Sequence, residues 1–193
     1  MTLPQKLIAG LERLAETLRS LQWLRAKAHG ISPIQLQILL FTARHRTELA
    51  NVSYLAQEFN VTKATVSDAV RVLLAKGYLT KDHSPTDARR YNLLLTPAGE
   101  QLVDQLDDYT APLQSSLTNT EEATLRTTYD TLAGLIYQLH QNGLIPVQRM
   151  CYACRHYEGD RRGRHRCRLL EIDLAGEEVR LDCPEFEARG DLP

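Results

Sequence analysis

The chain has 193 residues, of which 43% are apolar and 24% are charged, and its formal net charge is −1. This length accommodates one domain, or one domain with a small appendage. No apolar run approaches the roughly 20 residues that a membrane-spanning helix needs, and the first residues lack the pattern of a signal peptide. We therefore expect a cytoplasmic protein without a membrane partner, in a compartment where stable disulfides are uncommon.

The hydrophobic pattern predicts a mainly α-helical body. Leucines recur at steps of three and four near the start, which predicts a long first helix with one apolar stripe. Pro97 opens a later helix, and Pro112 is expected to kink it. The predicted helices cover residues 3–28, 33–46, 51–60, 62–76, 97–117 and 118–141.

Residues 78–96 change character, because two short strand-like runs flank a polar loop that contains Pro85. This pattern predicts a β-hairpin. Four helices, a two-stranded hairpin and two helices, in that order, indicate a winged helix-turn-helix within a helical body. We predict one domain over residues 1–145 and a separate, polar and arginine-rich module over residues 146–193.

The predicted helix at 62–76 has an outward face suited to duplex DNA. Its apolar residues Val66, Val70 and Leu73 fall on one side, while short polar residues near its start fall on the other. Such a face can enter a major groove and reach base edges. A polar face that is merely solvated explains the same pattern equally well. The candidate DNA-contacting residues on this helix are Lys63, Thr65, Ser67, Asp68 and Arg71.

Local charge also favours a polyanionic partner. The stretch 61–95 contains six Lys or Arg residues and three Asp residues, although the whole chain is nearly neutral. An excess of positive charge on this helix and hairpin favours contacts with the phosphate groups of DNA.

The stretch TDARRYNLLLTPAGEQL resembles the wing signature of the MarR-type winged-helix regulators, D-x-R-x-x-x-L-x-L-T-x-x-G. The resemblance extends over roughly residues 3–145. It implies that Arg89 enters the minor groove from the wing tip, that Asp87 orients it, and that Arg90 contacts phosphate. A narrow minor groove concentrates negative potential, which suits a rigidly held arginine. A local ion pair that pins the turn is compatible with this role. The matching positions are Asp87, Arg89, Leu93, Leu95, Thr96 and Gly99.

The same resemblance implies a homodimer built from the first and last helices. Two-fold symmetry then implies a palindromic operator in double-stranded DNA, with half-sites about one helical turn apart. It also implies a transcriptional regulator, here expected to be a repressor, rather than an enzyme. Besides the leucines of the first helix, the apolar residues that suit such an interface are Leu125, Leu132, Leu135, Ile136 and Leu139.

Four cysteines lie after residue 150, and the chain before them contains none. Their order is Cys151-x2-Cys154-x12-Cys167-x15-Cys183. Four thiols so close in sequence, in a reducing compartment, favour a metal site with these four residues as ligands. A redox-active disulfide between Cys151 and Cys154 is an alternative, but it leaves the other two cysteines unexplained.

The spacing favours an iron–sulfur cluster over zinc. A four-cysteine zinc ribbon normally uses two C-x2-C knuckles, whereas only Cys151 and Cys154 form one here. Pro184 follows Cys183, as proline follows the last cysteine of many ferredoxin runs. The spacing is also similar to that of small cluster domains attached to some glycyl-radical decarboxylases, which implies [4Fe-4S] in preference to [2Fe-2S]. Six arginines in the stretch 155–168 could stabilise an anionic cluster. Zinc remains the alternative.

Together these features predict a DNA-binding regulator that senses redox state or iron through its C-terminal cluster. One alternative keeps the DNA-binding body but makes the four cysteines a structural zinc site, with a small molecule as the signal. Another is an electron-transfer or iron–sulfur enzyme subunit that uses a winged helix for protein contacts. The sequence contains no Gly-rich phosphate loop, nucleophile elbow or His-Glu metal helix, so we predict no enzymatic activity.

Overall fold

The computed structural model describes residues 1–83, 91–145, 149–161 and 163–189. The chain divides into two compact units, Met1–Thr118 and Asn119–Pro193. The last long helix packs against the cysteine-containing segment that follows it. The predicted division into domains 1–145 and 146–193 stays a prediction. Within the described ranges, no helix is both long and apolar enough to cross a membrane.

The first unit is mainly helical with a small antiparallel sheet, as predicted. In the sheet Leu79 lies opposite Leu95 and His83 opposite Tyr91. The observed helices and strands follow the predicted order closely. They are α1 Leu3–Ala28, α2 Pro33–Arg44, α3 Val52–Glu58, α4 Lys63–Ala75, β1 Leu79–His83, β2 Tyr91–Leu95, α5 Pro97–Leu106 and α6 Ala111–Leu117.

Side-chain caps fix where the helices of the helix-turn-helix begin. The side chain of Asn51 accepts a hydrogen bond from the amide of Tyr54 at the start of α3, and that of Thr62 accepts from the amide of Thr65 at the start of α4. Between them Asn60 adopts a left-handed conformation, with φ of 51°, which asparagine tolerates better than most residues. These contacts define the tight turn between α3 and α4.

One hydrophobic core joins the helix-turn-helix to the hairpin. Leu93 in β2 is fully buried, and its amide donates to the carbonyl of Ala50 ahead of α3, at 2.7 Å. This bond ties the base of the wing to the helix-turn-helix. The largest fully buried side chains of this core are Leu36, Ile38, Leu39, Leu55, Val66, Val70, Leu73, Leu93 and Leu106.

The structure corrects the prediction of one kinked helix over residues 97–117. The helix breaks after Leu106, and Pro112 sits in the first turn of α6, where its missing amide proton costs nothing. The intervening turn is fastened to other helices of the unit. Asp107 pairs with Arg44 of α2, and Asp108 pairs with Arg25 of α1.

The apolar stripe of α1 is not used by the core of its own unit. Leu7, Leu11 and Leu14 are 60%, 38% and 51% exposed. In α1, which is described in full, Ala26 is the one buried residue. A long helix that leaves this much apolar surface open has a face available for another protein surface.

The second unit combines a long helix with short elements that carry the cysteines. They are α7 Glu122–Gln141, a 3₁₀ turn Cys151–Ala153, β3 Tyr157–Gly159, β4 His165–Cys167, β5 Ile172–Leu174 and a 3₁₀ turn Gly176–Glu178. Among the described residues the three strands form one antiparallel sheet in sequence order. This sheet was not predicted, because three-residue strands are too short to show an alternating pattern. The buried residues of this core are Ala133, Met150, Tyr152, Ala153, Cys154, Tyr157 and Val179.

Gly99 should be intolerant of a side chain. Its amide donates to the hydroxyl of Thr96, and a Cβ at this position would lie 2.1 Å from the carbonyl oxygen of Tyr78. We expect Gly99→Ala to lower the free energy of unfolding by about 1–3 kcal/mol, as overpacking does. Chemical denaturation followed by the fluorescence of Trp23, the chain's one tryptophan, measures this in the first unit.

Gly10→Ala is the matched control for that measurement. Gly10 lies within α1, and a Cβ there would meet no atom within 4 Å. Alanine is the better helix former, so this change should be neutral or stabilising by up to about 1 kcal/mol. Equal losses of stability in the two variants would contradict the close contact described for Gly99.

Candidate functional sites

Helix α4 presents a polar face to solvent. Val66, Ala69, Val70 and Leu73 are buried against the core, and this fixes the opposite face outward. Asp68 and Arg71 form an ion pair along the exposed side. The predicted DNA-contacting residues Lys63, Thr65, Ser67, Asp68 and Arg71 are all exposed.

Two of the basic residues counted near this face have local partners. The ammonium of Lys76 donates to the carbonyl of Gly30 at 2.6 Å, and that of Lys81 lies 4.1 Å from the ring centre of Tyr91. Both residues therefore help to hold the fold. Lys63, exposed at the start of α4, is the basic residue best placed on this helix for a phosphate contact.

The wing motif falls into two parts. Asp87, Arg89 and Arg90, the residues predicted to reach DNA, lie outside the described residues. The other positions serve the fold. Leu93 is buried. The hydroxyl of Thr96 donates to the carbonyl of Gly77 and accepts from the amide of Gly99, and the latter bond caps the start of α5. This second part sets where the wing leaves the core.

The comparisons with known proteins agree with this geometry. The sequence model of the MarR family matches residues 29–90, which run from the end of α1 to the hairpin. Staphylococcus aureus MarR in complex with salicylate and kanamycin superposes with a TM-score of 0.59 and 21% identity, over 74% of this chain and 93% of that one. The fold is that of a MarR-type winged helix. The comparisons thereby confirm the predicted MarR-type fold.

Two further MarR-type structures show the same fold. The S. aureus MepR–DNA complex gives a TM-score of 0.58 at 18% identity, over 72% of this chain and 99% of that one. A MarR transcriptional regulator from Methanosarcina mazei Go1 gives 0.57 at 18% identity, over 72% and 97%. No match was found among curated proteins.

The second site is a pocket that collects all four cysteines. Cys151, Cys154, Cys167 and Cys183 line it together with the apolar side chains of Leu169, Leu170 and Leu174. All four cysteines lie in the described ranges and carry free thiols. The structure therefore brings together the residues that the sequence predicted as one ligand set.

Backbone hydrogen bonds and strand pairing position the cysteines around this pocket. The amide of Cys154 donates to the carbonyl of Cys151 within a 3₁₀ turn, at 2.9 Å. Cys167 ends β4 opposite Tyr157 of β3. The amide of Cys183 donates to the carbonyl of Arg149 at 2.9 Å. Each cysteine thus comes from a different loop or strand end, apart from the first pair.

Arg180 supplies hydrogen-bond donors to two of the sulfur atoms. Its backbone amide lies 3.2 Å from Cys151 Sγ, and its guanidinium lies 3.9 Å from Cys183 Sγ. Burial raises the pKa of the Cys151 thiol, and the negative charge of the other three cysteines raises it further, while the bond from Arg180 lowers it. The effect of the other three cysteines on the pKa of Cys151 follows from their shared pocket.

Tyr157 forms a buried polar contact beside the cysteines. Its hydroxyl lies 2.7 Å from Nδ1 of His165, which is itself buried. Burial raises the pKa of Tyr157 to about 12. The phenol is therefore neutral at physiological pH, and it fixes β3 against β4 without adding charge to the pocket.

Three arginines of the arginine-rich stretch have acidic or aromatic partners, and one of them, Arg166, also lines the cysteine pocket. Arg155 pairs with Glu187 and Arg166 with Asp173, both at 2.9 Å, and Arg161 lies over the ring of Tyr137. These three arginines therefore contact acidic or aromatic side chains. Arg180, which was not among the residues predicted from sequence, contacts the sulfur atoms of Cys151 and Cys183. Its position three residues before Cys183 was the one available signal.

In the described residues, the four thiols do not have the geometry of a site for a single metal ion. Among the residues that the structure describes, no three His, Cys, Asp or Glu side chains are arranged to hold a single metal ion. The four cysteines share a pocket, and a bound iron–sulfur cluster, or the alternative zinc ion, stays a prediction.

Proposed function

We propose that this protein is a homodimeric, DNA-binding transcriptional repressor. The observation that carries the proposal is the exposed, short polar face of α4 on a MarR-type winged helix. Small side chains near the start of a helix permit close approach to base edges. In the proposed complex α4 lies in the major groove and Lys63 contacts the phosphate backbone.

The wing and the dimer complete this proposal. Arg89 is proposed to enter the minor groove, with Asp87 orienting it and Arg90 on phosphate. The exposed leucine stripe of α1 supports a dimer, because one protomer leaves this apolar face uncovered. A two-fold dimer would bind a palindromic operator. The existence of a MepR–DNA complex with the same fold supports duplex DNA as the partner.

Removing the charge of Lys63 should weaken DNA binding and reduce its salt dependence. We expect Lys63→Ala to lower the steepness of log K against log salt by about 0.9 for each phosphate that the protein no longer neutralises. The measurement is fluorescence anisotropy with a duplex selected from random DNA, repeated over a range of salt concentrations.

Lys6→Ala is the control, because it removes the same charge from an exposed position on α1. It should leave the salt dependence close to that of the wild type. An unchanged slope in Lys63→Ala, or equal changes in the two variants, would contradict the placement of α4 against the phosphate backbone.

We propose in addition that the cysteine pocket holds an iron–sulfur cluster. The donor set fits such a group, since four free thiols line one apolar pocket and N–H donors point at two of the sulfurs. Thiolates are the ligands of iron–sulfur clusters, and hydrogen bonds to their sulfurs tune the reduction potential. Cys151, Cys154, Cys167 and Cys183 would hold the cluster, which supplies sensitivity to oxidants and to iron supply. By similarity, [4Fe-4S] is proposed ahead of [2Fe-2S].

The pocket can influence DNA binding through α7. Ala133 of α7 is buried in the same core as Met150 and Tyr152, beside the first cysteine pair. α7 corresponds to a helix that the MarR resemblance places in the dimer interface. A change in the order of the cysteine segment would therefore act on the dimer, and through the dimer on the spacing of the two α4 helices.

The competing proposal is a structural zinc site in the same pocket. Cysteine thiolates are also the ligands of structural zinc sites, although the four thiols are not arranged around a single ion in the structure. The signal would then be a small molecule bound elsewhere. The pocket's residues are the same in both versions, so metal content is what separates them.

Protein purified without air should be brown and should contain iron and acid-labile sulfide in near-stoichiometric amounts. Its affinity for the selected duplex should differ between the loaded, oxidised and metal-free forms. Cys167→Ser should lower the metal content and abolish that difference, because it removes one of the four ligands.

Two results would contradict this proposal in different ways. Bound zinc without iron would replace the cluster by the structural site. If the protein contains iron but its loaded, oxidised and metal-free forms bind DNA equally well, the metal centre has no regulatory role.

A further inference from the structure

A single peptide group connects α7 to the cysteine pocket. The peptide between Val179 and Arg180 accepts, at its carbonyl, a hydrogen bond from the hydroxyl of Tyr129 in α7. At its amide, the same peptide donates to Cys151 Sγ at 3.2 Å. Because a peptide group is planar and stiff, its carbonyl and its amide cannot reorient independently. The hydroxyl of Tyr129 and the sulfur of Cys151 are thus two partners of one rigid group.

The contacts around this peptide hold it in place from both sides. The carbonyl of Arg180 accepts from the amide of Cys151 at 2.9 Å, so Arg180 and Cys151 are bonded in both directions. Val179 is fully buried in the core of the second unit. Nearby, Arg126 of α7 pairs with Glu177 in the adjacent 3₁₀ turn. The segment 177–180 therefore touches both α7 and a cysteine sulfur.

We propose that Tyr129, through the Val179–Arg180 peptide, is a positioning residue that couples the state of the cysteine pocket to α7. The proposal rests on the metal-dependent DNA binding proposed above. It adds the identity of the coupling contact, which neither the family resemblance nor the cysteine spacing implies.

The chemistry of the N–H···S bond gives the coupling its direction. A hydrogen bond to a metal-bound thiolate is stronger than one to a neutral thiol, because the acceptor carries more negative charge. Hydrogen bonds in a chain polarise one another. A strong bond at Cys151 therefore strengthens the bond that Tyr129 makes to the carbonyl of the same peptide. Loading the pocket with metal should tighten the hold of the segment 177–180 on α7.

Tyr129→Phe tests the coupling by removing one hydroxyl. The control is Tyr137→Phe, which removes a hydroxyl from the same helix, in the same core, and leaves the Tyr129 bond intact. Both variants, and the wild type, are measured for iron and sulfide, for thermal stability, and for DNA affinity in the loaded and metal-free forms. The quantity of interest is the ratio of the two DNA affinities.

We expect Tyr129→Phe to bind as much iron as the wild type. The difference in DNA affinity between its loaded and metal-free forms should be smaller than in the wild type. A net protein hydrogen bond corresponds to about a 2- to 10-fold change in an equilibrium, so the ratio should move toward one by that factor. Tyr137→Phe should keep the wild-type ratio. A merely structural role for Tyr129 would lower thermal stability in both forms and leave the ratio unchanged, which would overturn the proposal.

The outcomes also separate this proposal from the function on which it rests. If the wild type holds no metal, or binds DNA equally with and without it, the proposed function is wrong. If the wild-type ratio is large and Tyr129→Phe preserves it, the coupling contact alone is wrong. Should the variant fold poorly, hydrogen exchange in the wild type replaces it. Protection of residues 177–181 and of residues 125–133 should then rise together on metal loading, and a rise in the former alone would overturn the proposal.

Discussion

Four thiols that face one pocket impose the strongest constraint on this chain. The segment that carries them is short and polar, and segments of this size bury too little apolar surface to fold alone. Its core is completed by α7, through Ala133 and the partly buried Ile136 and Tyr137. The pocket and the helix are therefore parts of one compact unit, Asn119–Pro193. The metal centre that we propose at the sulfurs would therefore stabilise a unit to which α7 belongs.

The part of the chain that we propose to face DNA depends on a different and simpler constraint. Because one side of α4 is buried against the core, the opposite side faces solvent. The hairpin is fixed to the same core by the buried Leu93 and by the bond from its amide to Ala50. α4 and the two strands of the hairpin thereby share one core, as the proposed combination of major-groove and minor-groove contacts requires.

Much of the first unit was predictable from sequence because its signals are local. The spacing of the leucines predicted α1. Thr62 predicted the start of α4, and Gly77, which has a φ of +73°, predicted its end. The break between α5 and α6 was not predictable, since it depends on the distant partners Arg25 and Arg44. The cysteine spacing predicted that the four cysteines come together, and they line one pocket. The contribution of Arg180 and Tyr129 depends on contacts across 29 and 50 residues of sequence, which no local pattern reveals.

The central claim is that the four cysteines hold one inorganic centre. X-ray absorption at the metal edge of the anaerobically purified full chain tests it most directly. We predict a first shell made of sulfur alone, with a second shell of iron atoms at the iron edge. A first shell containing nitrogen or oxygen from the protein, or protein that carries no metal, would contradict it.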